Sequence, residues 1–391
     1  MLFSLAIIFL LGMTLGKFFD FLKLPKLIGL LLTGMILGPN LLNILDPKIL
    51  LISSDLRQLA LIIILIRAGL NLDLKDLHSV GFSALLMSFL PALFEILGVV
   101  IIAPLIFDIS ILDAALLGSV LAAVSPAIIV PRMLKLKELR LGTAKMIPQL
   151  IMAGSSMDDV FVIVIFTSLL TISTNQGISS LTWITLPTSL ILGIMAGVVV
   201  GLILSWWFTR FHIRDTGKVI IILSSAFLLL TLEHINTSHV GFSALLAVMI
   251  MGATIQIRKE HVAQRLSFKF SKLWLAAEVL LFVLVGALVS LESMFTLSIG
   301  AFILLIFSLF FRSLGVLLSI VKTNFNLKEK LFTIMAYLPK ATVQAAIGGI
   351  PLAMNHPQGE LILSMAVISI VITAPLGAFL MDHYQHRLLN H

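Results

Sequence analysis

"AYLPKATVQAAIGGIPL", residues 336–352, is an apolar stretch interrupted from within by Pro339, Gly348, Gly349 and Pro351, with Lys340 at the first interruption. Proline carries no backbone N–H and pushes the residue before it away from helical backbone, so the stretch reads as half-helices around a break. Earlier in the chain, "AVSPAIIVPRML", residues 123–134, is interrupted in the same way by Ser125, Pro126 and Pro131. Membrane helices tolerate Pro and Gly as simple kinks, so either stretch alone decides little. Two broken helices at corresponding positions of two halves are the best sequence pointer to the ion site of a secondary transporter.

Whether the positions correspond depends on the spans around them. The chain has 391 residues, 59% of them apolar and only 12% charged, with a mean hydropathy of +1.14. A soluble domain carries about 25% charged residues. Apolar runs repeatedly reach the ~20 residues a helix needs to cross hydrocarbon, and none alternates as a lipid-facing β-strand would. The sequence therefore predicts an all-α polytopic membrane protein. Spans are expected near 2–20, 26–44, 57–72, 79–106, 110–134, 142–173, 181–208, 217–232, 239–256, 272–290, 295–321, 329–353 and 361–381, about 13 in all. The first has no basic region before it and no small-residue cleavage site after it, so it reads as a retained span rather than a signal peptide. Cysteine is absent, which excludes disulfides and thiolate metal sites.

The basic residues test this count. Ends and loops after the odd-numbered spans hold 21 of the 26 lysines and arginines, while the opposite side holds only Lys48 and Arg57. The positive-inside rule places the N-terminus outside and the C-terminus in the cytoplasm, and it explains the net charge of +7 without invoking nucleic acid. With 181–208 taken as a linker, 1–174 and 217–381 form two six-span repeats that start on opposite sides, the arrangement of inverted repeats. The span broken at Pro126 then corresponds to the span broken at Pro339.

Charges inside the spans are the next signal. "GSSMDD", residues 154–159, puts Asp158 and Asp159 in the middle of an otherwise uncharged run from Met146 to Ser173. An acid at that depth costs at least about 2.5 kcal/mol on insertion scales, so a functional role is the default. The alternative, in which Ser155 and Ser156 cap a helix with both acids in its first turn, leaves too few residues to span. Adjacent helix residues point about 100° apart, so the two acids require different partners and cannot form a shared-proton dyad. A carboxylate in a poorly solvated cavity holds a proton or a small cation but not both, and that competition is sufficient to couple two ions.

Glu95 lies mid-span, and Arg312 lies in the corresponding span of the other half, which predicts a buried structural ion pair. The alternatives are a protonated Glu95 and an Arg312 that snorkels to the interface. Arg67 and Glu278 fall closer to predicted span ends and read as interfacial or structural, with Glu278 also a candidate for a cytoplasmic entrance. Lys340 either offsets the negative end of a half-helix or is a solvated charge. Gly193, Gly197 and Gly201 form a close-packing face, within the protomer or across a dimer. His212 and His234 fall in predicted loops and His391 ends the chain, with no metal-ligand spacing among them.

"AAVSPAIIVPRML", "AGSSMDDVFVIVIF", "FRSLGVLLSI" followed by "NLKEKLF", and "LPKATVQAAIG" together resemble the NHA-type branch of the monovalent cation:proton antiporters. "LPKLIGLLLTGMILGPN" and "LIRAGLNLD" fit as well. The similarity runs over essentially the whole chain in the same order. It implies the sodium/proton antiporter fold, in which a core domain with two crossed broken helices moves against a dimerisation domain. Pro126, Pro339, Lys340, Thr342 and Gln344 fall at that crossing. The resemblance also implies that Asp159 is the principal ion and proton carboxylate, with Asp158 beside it, and that unwound backbone around Val124 and Ser125 supplies oxygen ligands. Two positions depart from the wider pattern. Val124-Ser125 stands where other branches have Thr-Asp, and Arg312 stands where many paired-aspartate relatives have a lysine; an arginine keeps its proton at essentially any pH.

The reading is a single transmembrane domain over 1–391, a secondary antiporter and not an enzyme, exchanging Na+ or Li+ for H+ by alternating access. Asp159 is the shared site, no cofactor is expected, and the chain is placed as a homodimer among the lipids of the cell (inner) membrane. K+/H+ exchange is the alternative within transport. An ion channel would need neither a proton-competitive carboxylate nor mirrored broken helices, and an intramembrane aspartyl protease needs its two acids on separate facing helices.

Overall fold

The computed structural model describes residues 1–72, 81–174, 182–235 and 242–390. The predicted span starts at 79, 181 and 239 fall outside these residues, as do Asp73 of "LIRAGLNLD" and His391. In chain order the helices are α1 (Leu2–Phe21), α2 (Lys26–Leu37), α3 (Pro47–Leu51), α4 (Ser53–Leu70), α5 (Phe82–Met87), α6 (Leu90–Phe107), α7 (Ile111–Leu121), α8 (Pro126–Glu138) and α9 (Ile147–Thr174). Then follow α10 (Thr182–Arg210), α11 (Asp215–Ile235), α12 (Ala244–Arg258), α13 (Glu260–Leu288), α14 (Leu291–Ser319), α15 (Leu327–Ala336), α16 (Thr342–Ile347), α17 (Ile350–Ala353) and α18 (Gly359–Leu388). Among the described residues there is no strand, and nine helical stretches are long and apolar enough to cross a membrane. Three shorter apolar stretches, Lys26–Leu37, Ala244–Arg258 and Thr342–Ala353, and α4 with its charged Asp55, Arg57 and Arg67 lie where further spans are expected.

Both predicted breaks are present, and local chemistry accounts for each. α7 ends at Leu121, and α8 starts at Pro126, whose missing N–H is harmless at a first helical position. Pro126 also forces the residue before it out of helical backbone, and Ser125 is extended at φ −99 and ψ 103. Pro131, expected as a second interruption, lies inside an unbroken α8. In the other half the helix breaks twice: at 337–341 around Pro339, and again at Gly348-Gly349 between α16 and α17. The predicted span 79–106 is also divided, because Pro91 in the first turn of α6 starts a new helix after Ser88-Phe89.

The chain divides into two compact units, one of residues 1–57, 75–162 and 279–391 and the other of 58–74 and 163–278. The second unit answers the question left by the glycine face. A Cβ on Gly193 would lie 2.7 Å from the Ser243 carbonyl, one on Gly197 2.5 Å from the Ala247 carbonyl, and one on Gly201 2.6 Å from Thr254. The face therefore packs α10 on α12 within the protomer. Glu278 corrects an expectation: α13 starts at Glu260, well before the predicted 272, so Arg265, Lys269 and Lys272 lie on helix, and Glu278 is buried in its interior. Arg67 of α4 lies within electrostatic range of it. His212 lies between α10 and α11 as expected, whereas His234 falls on the last turn of α11 rather than in a loop.

In the first unit, Arg57 is buried, not a loop charge. Its Nε donates to the Ser53 carbonyl, and its guanidinium lies against Gly349, where any side chain would displace it.

Candidate functional site

The site forms where the two broken helices meet. α7 stops after 11 residues, well short of the ~20 that cross a membrane, leaving the carbonyls of its last turn without intrahelical partners and the negative end of its dipole exposed. Side chains from the other half of the chain fill that need. Lys340 Nζ donates to the Leu121 carbonyl, Arg312 Nη1 to the Ala122 carbonyl, and Gln344 Nε2 to the Ala123 carbonyl at 2.6 Å. Gln344 also accepts the Ala341 N–H at 2.9 Å, which holds the amide in register with its own break. The backbones of the breaks bond directly as well, Ser125 N donating to the Pro339 carbonyl at 2.9 Å. The predicted crossing of Pro126, Pro339, Lys340, Thr342 and Gln344 is brought together here, with Thr342 buried in the first turn of α16.

Around this backbone knot lies a buried charge cluster. Glu95 from α6, Arg312 from α14 and Lys340 from the break are at most 1% exposed, as is Asp158, while Asp159 is 7% exposed. Arg312 Nη1 donates to Glu95 Oε2 at 2.7 Å, which is the predicted pair, but the pair is not isolated. Lys340 Nζ donates to the other oxygen, Glu95 Oε1, at 2.6 Å. One acid therefore holds two cations. Lys340 is not solvated, and the helix end it offsets is that of α7 across the crossing rather than one of its own. Arg312 does not snorkel; Nη2 reaches Asp158 Oδ2 at 3.5 Å, and Nε donates to the Tyr337 carbonyl at 2.6 Å.

Asp158 and Asp159 lie in the interior of α9, not in a first turn, and Ser155 and Ser156 bond back to the Met152 carbonyl instead of capping. As the 100° offset requires, the two acids have different surroundings. Asp158 Oδ2 accepts the freed Val124 N–H at 2.8 Å and faces Arg312. Asp159 makes no hydrogen bond among the described residues. Ser125 Oγ, Asp158 Oδ1 and Asp159 Oδ1 are all buried without a hydrogen-bond partner. Buried polar atoms are normally paired, so three orphaned oxygens, each at or next to the Val124–Asp158 bond, mark a place where a ligand or water completes the set. Carboxylate and hydroxyl oxygens of this kind suit a small hard cation. Among the described residues no group of three or more His, Asp and Glu side chains is placed to hold a metal ion permanently.

Two residues of the site were not singled out from sequence. Thr373 of α18 accepts the Lys340 N–H at 3.0 Å and donates to the Ser369 carbonyl at 2.7 Å, and Tyr337 caps α15 beneath Arg312. The signal for Thr373 was faint, a Ser369/Thr373 pair one turn apart in an apolar span. For Tyr337 it was stronger, since the chain holds only two tyrosines and this one directly precedes Leu338-Pro339.

The family model described as sodium/hydrogen exchanger, transmembrane, matches residues 5–382. The chain is 31% identical over 407 residues to sodium/hydrogen exchanger 9B2 of Mus musculus, an alignment that covers 100% of this chain and 74% of that one. It is 33% identical to sodium/hydrogen exchanger 9B1 of Homo sapiens, covering 100% and 78%. Among solved structures, the sodium proton antiporter MjNhaP1 from Methanocaldococcus jannaschii superposes with a TM-score of 0.83 over 98% of this chain and 96% of that one. At 23% identity, that likeness is one of fold.

Proposed function

We propose, because this chain belongs to the sodium/hydrogen exchanger family and exchanges sodium ions for protons across a membrane, that Asp159 is the carboxylate for which the two ions compete. The observation that carries this is the asymmetry of the acid pair. Asp158 already has a backbone donor and a guanidinium, whereas Asp159 has neither and lies beside orphaned oxygens. Asp158, Ser125 Oγ and the carbonyl of unwound Val124 are the groups that complete the cation's shell. Glu95, Arg312 and Lys340 stay paired throughout and hold the crossing in shape. Since Asp158 is also committed, one free carboxylate remains in each protomer. Binding one Na+ or one H+ there makes the exchange one-for-one and electrically silent, insensitive to a membrane potential that would otherwise bias it by about 2.3 kcal/mol per 100 mV.

Alternating access then moves the crossing between the two sides of the membrane. Two inverted repeats, 1–174 and 217–381 joined by 181–208, give that movement its symmetry. The N-terminus lies outside and the C-terminus in the cytoplasm of a cell membrane, a reading that the distribution of basic residues supports, and the chain works as a homodimer.

The experiment is exchange in proteoliposomes, one cation at a time. Asp159→Asn, which can neither release a proton nor neutralise a cation, is expected to fall below about a tenth of wild-type exchange with an unchanged melting temperature. In the wild type the half-saturating Na+ concentration is expected to rise as pH falls from about 8.5 to about 6.5, because protons occupy the same carboxylate. A constant value across that range rules out a shared site. A preference for K+ over Na+ and Li+ would replace the ion and leave the mechanism standing.

A further inference from the structure

Tyr337 is held more firmly than a buried packing residue needs to be. Its carbonyl accepts Arg312 Nε at 2.6 Å, and the same guanidinium carbon lies 5.6 Å from the centre of its ring. Ring and backbone are thus both pinned by the arginine that also faces Asp158. The pinned ring sends its hydroxyl to α9 at Gly154, so close that a methyl group on that residue would occupy the hydroxyl's place. Gly154 precedes Asp158 by four residues, which puts it on the same face of the helix one turn away, about 6 Å along the axis.

The hydroxyl that arrives there has no partner. Tyr337 Oη is buried and makes no hydrogen bond among the described residues, although a buried tyrosine hydroxyl usually finds one. Asp158 Oδ1, one turn along the same face, is orphaned too. If the ring were all that mattered, phenylalanine would serve, since it keeps the stacking under Arg312. If the space were not needed, alanine would be the better helix residue at Gly154. A buried water requires two to four polar partners, and the phenol and the carboxylate oxygen are two that lack one.

We infer that the Tyr337 hydroxyl holds a buried water against Asp158, which makes Tyr337 a positioning residue for proton passage to the acid pair. The inference rests on the reading of Asp158 and Asp159 as the exchange site. As a proton moves, the water passes one hydrogen to a carboxylate and takes one from the phenol. The phenol takes its proton back from solvent, so the tyrosine ends as it began and only a proton has travelled.

Exchange by Tyr337→Phe, Asp159→Asn and wild-type protein in proteoliposomes, in H2O and in D2O, tests this. Tyr337→Phe is expected to keep its melting temperature, because no hydrogen bond within the protein is lost. Its maximal rate should fall several-fold while half-saturating Na+ stays within about twofold of wild type, since the cation's ligands are untouched. The rate ratio between H2O and D2O should rise, because proton passage now limits the cycle. Gly154→Ala, which pushes the hydroxyl aside, should raise the same ratio. A Cβ on Gly154 also lies 2.8 Å from the Met87 Cβ, so if Gly154→Ala fails to fold, Tyr337→Phe alone decides the test. A wild-type rate and isotope ratio in Tyr337→Phe, with Asp159→Asn inactive, overturns the water and leaves the exchange site standing. A slower Tyr337→Phe with an unchanged isotope ratio overturns it as well, because that is the signature of packing. An active Asp159→Asn overturns both.

Discussion

At the crossing, α7 and α16 meet through side chains that reach the ends of broken backbone, while along the α10–α12 seam two unbroken helices meet because three glycines remove the side chains that would hold them apart. The seam is made of Gly193, Gly197 and Gly201 against the carbonyls and β-carbons of α12, and it carries no charge. The crossing carries three acids and two bases in a space from which water is nearly excluded. Close packing in a membrane therefore needs only small residues, whereas an unwound helix needs a donor for every carbonyl it exposes. The seam leaves Ser243 Oγ without a partner, but only the crossing leaves carboxylate oxygens to spare beside a hydroxyl, the set that suits a small hard cation.

The comparison can be broken most severely at Glu95. Glu95→Gln strands Lys340 and leaves Arg312 only Asp158 at 3.5 Å, and removing one partner of a buried pair costs roughly 3–5 kcal/mol, so the melting temperature of detergent-solubilised protein should fall sharply. Adding Arg312→Gln should recover only part of the loss, because Lys340 is still uncompensated; the double mutant should nevertheless lose less than the two single losses added. Strictly additive losses would mean that the two residues act independently. At the seam, Gly197→Ala places a methyl 2.5 Å from the Ala247 carbonyl and forces the helices apart. A loss of about 1–3 kcal/mol is expected there, with half-saturating Na+ unchanged, because neither helix carries one of the proposed ligands. The smallest effect sharpens the view of the crossing. Thr373→Val removes the acceptor of the Lys340 N–H but keeps the shape, and should cost about 1 kcal/mol in a melting experiment without changing exchange per folded molecule.

Much of the crossing was legible in the sequence because its determinants are local. Pro126 and Pro339 dictate their breaks through the residue before them, and Asp158 and Asp159 stand out against an uncharged run. The Glu95–Arg312 pair could be read from matching depth and opposite sign. What could not be read was reach. Lys340 follows its own break in sequence, but its partners are a carbonyl of α7 and a carboxylate of α6, and no periodicity predicts which side chain crosses between helices. Pro131 was misread because a proline in a helix interior forfeits one hydrogen bond without having to end the helix. Glu278 was misread because a run of basic residues looked like a loop, whereas α13 carries Arg265, Lys269 and Lys272 on helix and buries the acid farther along.

The charge cluster also imposes an order on how the protein is made. Glu95 lies 217 residues before Arg312 and 245 before Lys340, and Asp158 lies 154 before Arg312. At about 5–20 residues per second, the acids of the first half wait on the order of ten seconds for their cations. A carboxyl group can wait in hydrocarbon by keeping its proton, whereas an arginine cannot shed its own. The chain order suits this difference, with the groups that can be neutral arriving first and the one that cannot arriving when its partners are already in place.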